Sequence, residues 1–419
     1  MSSPAVDFQY TPLTQPQKEI RLLQVSPSSG PIELALHTYK FSKDLKYVAL
    51  SYEWASEEDK KDITVNGANI TIRWNLWEAL KSLRQFQSDR STVRLFEHDA
   101  PRFWIDAVCI NQHDEKEKGD QVAMMGRIFR CASHTIAWLG PEAEFSALAM
   151  ACMSNRDLAL SVIPSLRKLF NRTYFRRLWI VQEVVLAQKL HFVCGQSTIS
   201  WRTFADFWDG SETFTFTPWG RCVDRLPRQL VDIRKVLDES RDERQSPQSI
   251  LTFLLQSAHR RYCRDVHDRL YALLGLVQWD STPLSFDIDY GMRVEELLIR
   301  IEKYINPDPA KKSYNSAFTI LEAFKPQVPF EVRGRVTWYW NIMDVLHTFS
   351  NAMDTTLGHH TAGQMAIRCV EQSLGSVASF LKNLTRTSGS FEKCLPVSLS
   401  FKLMHQRETE QATRPYLLR

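Results

Sequence analysis

Short apolar runs alternate with amphipathic stretches along the chain, and their order predicts the architecture. Ile20–Val25 and Ile32–His37 flank Pro27-Ser28-Ser29-Gly30, which predicts a hairpin. Tyr47–Tyr52 is the pattern of a strand buried on both faces. Ile63–Val65 and Ile70–Ile72 bracket Asn66-Gly67, a strong hairpin signal. Asn75, with Glu78 three residues on, reads as a capping box; the helix it opens has a stripe of Leu76, Ala79, Leu80, Leu83 and Phe86. Phe103–Ile110 is apolar except for Asp106 and predicts a second doubly buried strand, ending in Asn111-Gln112-His113-Asp114. Asp114 caps the next helix with Glu117 at the box position, and Val122, Met125, Ile128, Phe129 and Ala132 form its core face. His134–Leu139 is a third buried strand, closed by Gly140-Pro141.

This alternation predicts an α/β fold: a parallel sheet flanked by helices, with added N-terminal hairpins and a mainly helical C-terminal region. Residues 142–172 read as helical, and Tyr174–Ala187 as one helix. Leu190–Gly195 and Thr198–Ser200 read as a hairpin, and Trp201–Trp208 as a helix. The expected division is a disordered lead-in at 1–18 and the α/β domain with its N-terminal hairpin at 19–208. A polar linker or insertion carrying Pro218 and Pro227 follows at 209–246. The helical extension at 247–305 contains helices at Ile250–Ala258, Asp268–Val277 and Val294–Ile305. Residues 306–419 are helical or loose, with helix-like spacing over 335–385, and carry no assigned role.

Composition narrows the function. A net charge of +4 over 419 residues argues against a dedicated nucleic-acid binder. Eight cysteines, none in C-x-x-C spacing, fit a reducing compartment, so a cytoplasmic location is expected. Met1–Pro16 lacks the pattern of a signal peptide, and no apolar run approaches the roughly 18–20 residues of a membrane span. The sequence contains no G-x-G-x-x-G, Walker A, H-E-x-x-H or G-x-S-x-G pattern and no zinc spacing. No metal and no resident cofactor are therefore expected, and His359-His360 reads as a surface pair.

Three places carry candidate chemistry. Asp106, inside an apolar run, needs a structural partner or a job, because a buried carboxylate is costly alone. Asn111 and Gln112 stand at a strand's carboxyl end, where open α/β sheets bind ligands. In the predicted helix 174–187, Tyr174, Leu178, Val181 and Val185 centre an apolar arc that includes Gln182, which should be buried and hydrogen-bonded. Glu183 falls at the arc's edge beside Trp179, where a raised pKa or a ligand-facing acid is expected. The alternative is a plain ion pair with Arg176 or Arg177. His259-Arg260-Arg261-Tyr262-Cys263-Arg264, with Asp265, Asp268 and Arg269, is an anion patch or an ion-pair network at a helix entry.

Several of these segments resemble the fungal heterokaryon incompatibility (HET) domain, in that family's order and spacing. They are Tyr47-Val-Ala-Leu-Ser-Tyr-Glu-Trp54, Asn75-Leu76 with Ala79-Leu80, Phe103–Gln112, Gln121-Val122 with Met125, and Ala137-Trp-Leu-Gly140. Arg177-Leu-Trp-Ile-Val-Gln-Glu183 and Cys194-Gly195 with Ser200-Trp201 match its later part. Asp268–Gly275 and Asp289-Tyr290 resemble segments common downstream of it. The resemblance covers roughly residues 45–305. Ala55 stands where the family often has Gly, and Glu117-Lys118 where it often has Glu-Arg.

The resemblance implies a fungal self/non-self recognition protein and effector of programmed cell death, with other incompatibility or sensor proteins, or a second copy, as partners. It also implies a TIR-like fold. Val48-Ala-Leu-Ser-Tyr52 looks like the first TIR strand. Tyr174…Glu183 looks like the TIR segment whose Glu is catalytic in NAD-cleaving members, with Arg177 in place of its Ser and Ile180 in place of its Cys. Two readings follow. One is an NAD glycohydrolase with Glu183 catalytic, NAD as substrate, and Ser51, Tyr52, Trp54, Asp106, Asn111, Gln112 and Trp179 lining the pocket. The other is a non-catalytic death-signalling module acting by self-assembly or partner binding. Glu183 open in a cleft beside Ser51, Trp54 and Asn111 favours the enzyme; Glu183 buried against an Arg favours the module.

Overall fold

The computed structural model describes residues 7–54, 57–88, 101–155, 160–210, 225–242, 245–277 and 286–307, with 320, 323 and 324. All lie in the first of two compact units, residues 1–336; the second, 337–419, is outside the described residues. So are His359-His360, Cys222, Cys369, Cys394 and the helix-like 335–385 stretch.

Nine strands form one mixed sheet in the order β5-β4-β2-β1-β6-β3-β7-β8-β9. β1 (Glu19–Val25) and β2 (Glu33–Lys40) are the antiparallel N-terminal hairpin. β3 (Val48–Tyr52) is buried at every position, as is β7 (His134–Trp138). β4 (Lys60–Val65) and β5 (Ala68–Arg73) form the second hairpin, its turn made by Asn66 and Gly67, both at positive φ as a type I′ turn demands. β6 is Phe103–Trp104. β8 (Leu190–Cys194) and β9 (Ser197–Ser200) close the far edge as a hairpin. The central strands β6, β3, β7 and β8 are mutually parallel.

Helices pack on this sheet: α1 (Trp74–Ser88), α2 (Asp106–Cys109), α3 (Glu115–Cys131), α4 (Ser146–Asn155), α5 (Ile163–Phe170), α6 (Ile180–Val185) and α7 (Trp201–Gly210). α8 (Leu226–Asp242) lies within the 209–246 stretch and buries Leu230, Val231, Ile233 and Leu237. α9 (Pro247–Ala258), α10 (Asp268–Val277) and α11 (Val294–Ile305) follow. The expected stripe of α1 is buried, and Asp114 caps α3 by accepting from the Lys116 and Glu117 amides. Residues 7–18 run tied to the body: Phe8 N–H donates to Asn69 O at 2.8 Å, Tyr10 Oη to Val108 O at 3.0 Å, and Gln121 Nε2 to Pro16 O at 2.5 Å.

Four local expectations are corrected. Phe103–Ile110 is a two-residue strand followed by α2. The Cys109 N–H donates to Ile105 O at 2.7 Å and the Ile110 N–H to Asp106 O at 3.2 Å, closing a helical turn. An apolar run is buried equally well either way, so periodicity alone does not separate the two. Tyr174–Ala187 is a 3-10 turn (Thr173–Arg176), an extended residue at Arg177 (φ −70°, ψ 139°) and then α6. Asn75 lies inside α1 and donates to Glu53 O at 2.5 Å instead of capping. Glu117 turns from the box position to a buried arginine, Arg21.

Candidate functional site

In chain order the parallel strands are β3, β6, β7 and β8, and in space the second, first, third and fourth stand side by side. Doubly wound sheets of this order bind ligands outside the carboxyl ends of the first and third strands, where the crossovers diverge. Here those strands are β3, ending in Ser51-Tyr52, and β7. Glu183, from α6, meets β3 at that end.

Glu183 is 2% exposed. Its Oε2 accepts from the Ser51 hydroxyl, and Arg177 Nη1 stands 3.9 Å away. Tyr174 Oη lies 2.8 Å from Ser51 Oγ. With Glu183 ionised, Ser51 gives its one proton to the carboxylate and Tyr174 donates to Ser51, so the three form a directed relay. Arg177 also donates to Tyr52 O. Asp106 also feels the Arg177 charge; its Oδ2 accepts from the Trp54 indole at 3.0 Å and its Oδ1 from the Ala107 amide at 2.7 Å. Gln112 Nε2 donates to Asp106 O at 3.0 Å. The Arg73 guanidinium stacks on Trp54 at 5.1 Å.

The electrostatics follow from this geometry. Burial raises the Glu183 pKa to about 7, against the opposing pull of Arg177 and the Ser51 hydrogen bond. Burial also raises Asp106, opposed by Arg177, the Ala107 amide and Trp54. Burial works against the Arg177 charge, but Glu183 and Asp106 outweigh it and raise its pKa. One guanidinium thus serves two buried carboxyl groups, and one of these is partly protonated near neutrality. Only in its ionised form can such a carboxyl stabilise a developing cation.

Sequence-predicted site residues divide into three sets. Ser51, Tyr52, Trp54, Asp106, Gln112 and Glu183 are brought together. Trp179 stands instead beside Asp268, which accepts from Tyr290 Oη at 2.9 Å; burial raises Asp268 to about 6, against the pull of Trp179 and Tyr290. Asn111 is engaged elsewhere: its amide donates to Glu117 Oε1 at 2.8 Å. Glu117 forms a bidentate pair with Arg21 at 2.6 and 2.9 Å, and Arg21 also donates to Cys109 O and Thr11 O. Gln182 is buried as expected, yet its Oε1 has no hydrogen-bond partner among the described residues. Of the basic cluster, Arg261 is fully buried on the backbone oxygens of Phe175 and Leu226, and Arg264 pairs with Glu57 at 2.9 Å. Sequence reasoning missed Arg21, although a charge between the apolar neighbours of a strand buried on both faces was a usable signal. It also missed the Tyr174–Ser51 bond, for which no local signal exists.

A parallel α/β core with a Trp-, Asp- and Glu-bearing cluster at its switch point is the frame these residues define. Residues 47–183 match the family model described as "Heterokaryon incompatibility protein (HET)", so this part of the chain is a HET domain. Among curated proteins, the chain is 26% identical over 276 residues to "Heterokaryon incompatibility protein 6, OR allele" of Neurospora crassa. That match spans 52% of this chain and 38% of the relative. No solved structure matches.

Proposed function

We propose that the protein acts in fungal heterokaryon incompatibility as a cytoplasmic cell-death effector, its HET domain signalling by self-association or by binding other incompatibility proteins. The burial of Glu183 against Arg177 carries the choice of a non-catalytic module, since a substrate would have to displace that pair and the Ser51 hydrogen bond together. Among the described residues no helix is long and apolar enough to cross a membrane.

A second reading is kept because of where the cluster lies. The second-first-third-fourth strand order supports a TIR-like fold, and a carboxyl with a pKa near 7 at the switch point suits NAD cleavage with Glu183 as the acting group. Nicotinamide leaves the ribose as a neutral ring, so one carboxylate stabilising an oxocarbenium-like state suffices without metal or general acid. NAD consumption by the full chain at high protein concentration, compared with Glu183→Gln, decides between the two. No loss in either protein, with circular dichroism unchanged, is the expected result for the module. Loss in the parent that vanishes in Glu183→Gln overturns it in favour of the enzyme.

A further inference from the structure

The basic cluster at 259–264 is divided by the fold. Arg261 is fully buried on Phe175 O and Leu226 O, while Tyr262 beside it is 61% exposed. The Tyr262 backbone is fixed. Its N–H donates to Arg176 O at 2.5 Å and its carbonyl accepts from the Leu178 N–H at 2.8 Å, a parallel bridge to Arg177. Two positions on, where extended chain returns to the same face, the Arg264 side chain is 86% exposed. Arg264 Nη1 donates to Glu57 Oε1 at 2.9 Å, and Arg73 Nη2 donates to that same oxygen at 2.8 Å. The Arg73 guanidinium also lies over the Trp54 ring, and the Trp54 indole is held by Asp106 at 3.0 Å. Tyr262, Arg264, Arg73 and Trp54 thus make a cationic and aromatic surface bordering the Glu183 cluster.

Two guanidinium groups on one carboxylate oxygen leave the trio with a net positive charge, and the next acid along, Asp265, is committed to His267 at 2.7 Å. Glu57 is 58% exposed. An ion pair so open to water is worth little, so another carboxylate can exchange with Glu57 at small cost. Shape decides what takes its place. Groups this exposed do not enclose a small molecule, whose sites are concave and bury most of the ligand. Tyr, Trp and Arg on a rigid support are instead the composition of a protein–protein hot spot. The backbone bridge at Tyr262 and the stack of Arg73 on Trp54 remove part of the ordering cost of binding. We propose that this surface docks an acidic segment of a partner protein. A carboxylate of that segment replaces Glu57 between Arg73 and Arg264, and its apolar neighbour packs on Tyr262. The proposal rests on the reading of the protein as a partner-binding module, and it names the surface and the charge of the partner.

The test uses the full chain and a fluorescein-labelled Glu-Glu-Leu-Glu-Glu-Leu peptide, read by fluorescence anisotropy at low and at physiological salt. Arg73→Gln and Arg264→Gln should each weaken binding about tenfold, the effect of losing one charged hydrogen bond. Tyr262→Ala, which keeps the backbone bridge, should weaken it about threefold. Glu57→Gln removes the internal competitor and should tighten binding about fivefold. That gain should exceed the gain from Glu144→Gln, which removes the same charge from the exposed pair with Lys168. These side chains are all at least partly exposed, so the variants should fold as the parent, which circular dichroism checks. No binding by the parent or by Glu57→Gln at low salt overturns the proposal. So do arginine variants that bind as the parent, or a Glu57→Gln no tighter than Glu144→Gln, since either means general charge attraction only. Displacement of the peptide by inorganic phosphate at equal concentration marks a small-anion site and also overturns it. Sedimentation velocity reads self-association separately. Self-association lost in Arg264→Gln, with no peptide binding by the parent, assigns the surface to a second copy instead. Because self-association and NAD consumption are measured apart from peptide binding, a failure here is distinct from a failure of the functional reading.

Discussion

Glu183 concentrates the residue-scale physics of this protein. Its carboxyl is buried, so its ordinary pKa of 4.5 rises to about 7. The folded chain therefore holds a proton there that the unfolded chain releases between those two values. Stability contributed by this group is fully present below about pH 4.5 and is lost as pH rises through about 7. Asp268, raised to about 6, slopes the same way. Glu183→Gln keeps shape and hydrogen bonding but does not ionise. Urea unfolding of the parent at pH 5 and pH 8 should show a loss of stability that the variant lacks, on the order of 3 kcal/mol. Equal slopes in both proteins would mean that Glu183 titrates near its ordinary value. Much of this environment was legible from residue types. A Glu one turn after a Trp and near two arginines left only a short list of partners, and Arg177 is one of them. The Tyr174–Ser51–Glu183 relay was not legible, because Ser51 and Glu183 are 132 positions apart.

At the scale of elements, two close approaches decide how the helices sit. α3 and α10 meet at Gly126 and Gly275, with the Gln182 side chain of α6 against both. A Cβ on Gly275 would fall 2.1 Å from Gln182 Oε1 and 2.9 Å from Gly126 Cα. Gly275→Ala should therefore cost about 2–3 kcal/mol by overpacking. A thermal melt reads the loss, and an unchanged midpoint would show that Gln182 swings clear at little cost. The second approach is the buried Arg21–Glu117 pair joining β1 to α3. Arg21→Met strands a buried carboxylate and should cost about 3–5 kcal/mol, whereas Arg21→Met with Glu117→Leu should recover a good part of it. Urea midpoints of the two variants test this, and a double variant no better than the single would point instead to the bonds with Cys109 O and Thr11 O. The hairpins and α1, α3, α10 and α11 were readable because turn chemistry and helical spacing are local. The 103–110 run was not, since burial on all sides suits strand and helix alike.

At the scale of the whole molecule, the HET match ends at Glu183 while the sheet continues to β9. Cut to residues 47–183, the domain would lose β1, β2, β8 and β9, leaving β6 and β7 as open edges in the middle of the sheet. It would also lose Arg261, Tyr262 and Asp268. Expressed alone, 47–183 should be insoluble or lack cooperative unfolding, while 7–307 should unfold in a cooperative transition. Circular dichroism melts of the two fragments check this. A well-folded 47–183 would show that the flanking strands and the 258–290 segment decorate the domain without completing it.

The succession of β3, α1, α3 and β7, the two N-terminal hairpins and the capped start of α3 followed from the sequence alone. Each rests on contacts within a few positions: a period of two or 3.6, an Asn-Gly turn, a side chain accepting from amides two and three residues on. The sequence also placed Asp106 and Glu183 among the chemistry-bearing residues, because a carboxylate in or beside an apolar run must find a partner; Ser51 entered only through the family resemblance. Only the tertiary structure decided which partner. The break at Arg177 exists because backbone from Tyr262 takes hydrogen bonds a helix would have kept, and Arg261 is buried on Phe175 O at the same turn. Those bonds join residues roughly 85–90 positions apart, and no local pattern encodes which distant backbone will come to rest there.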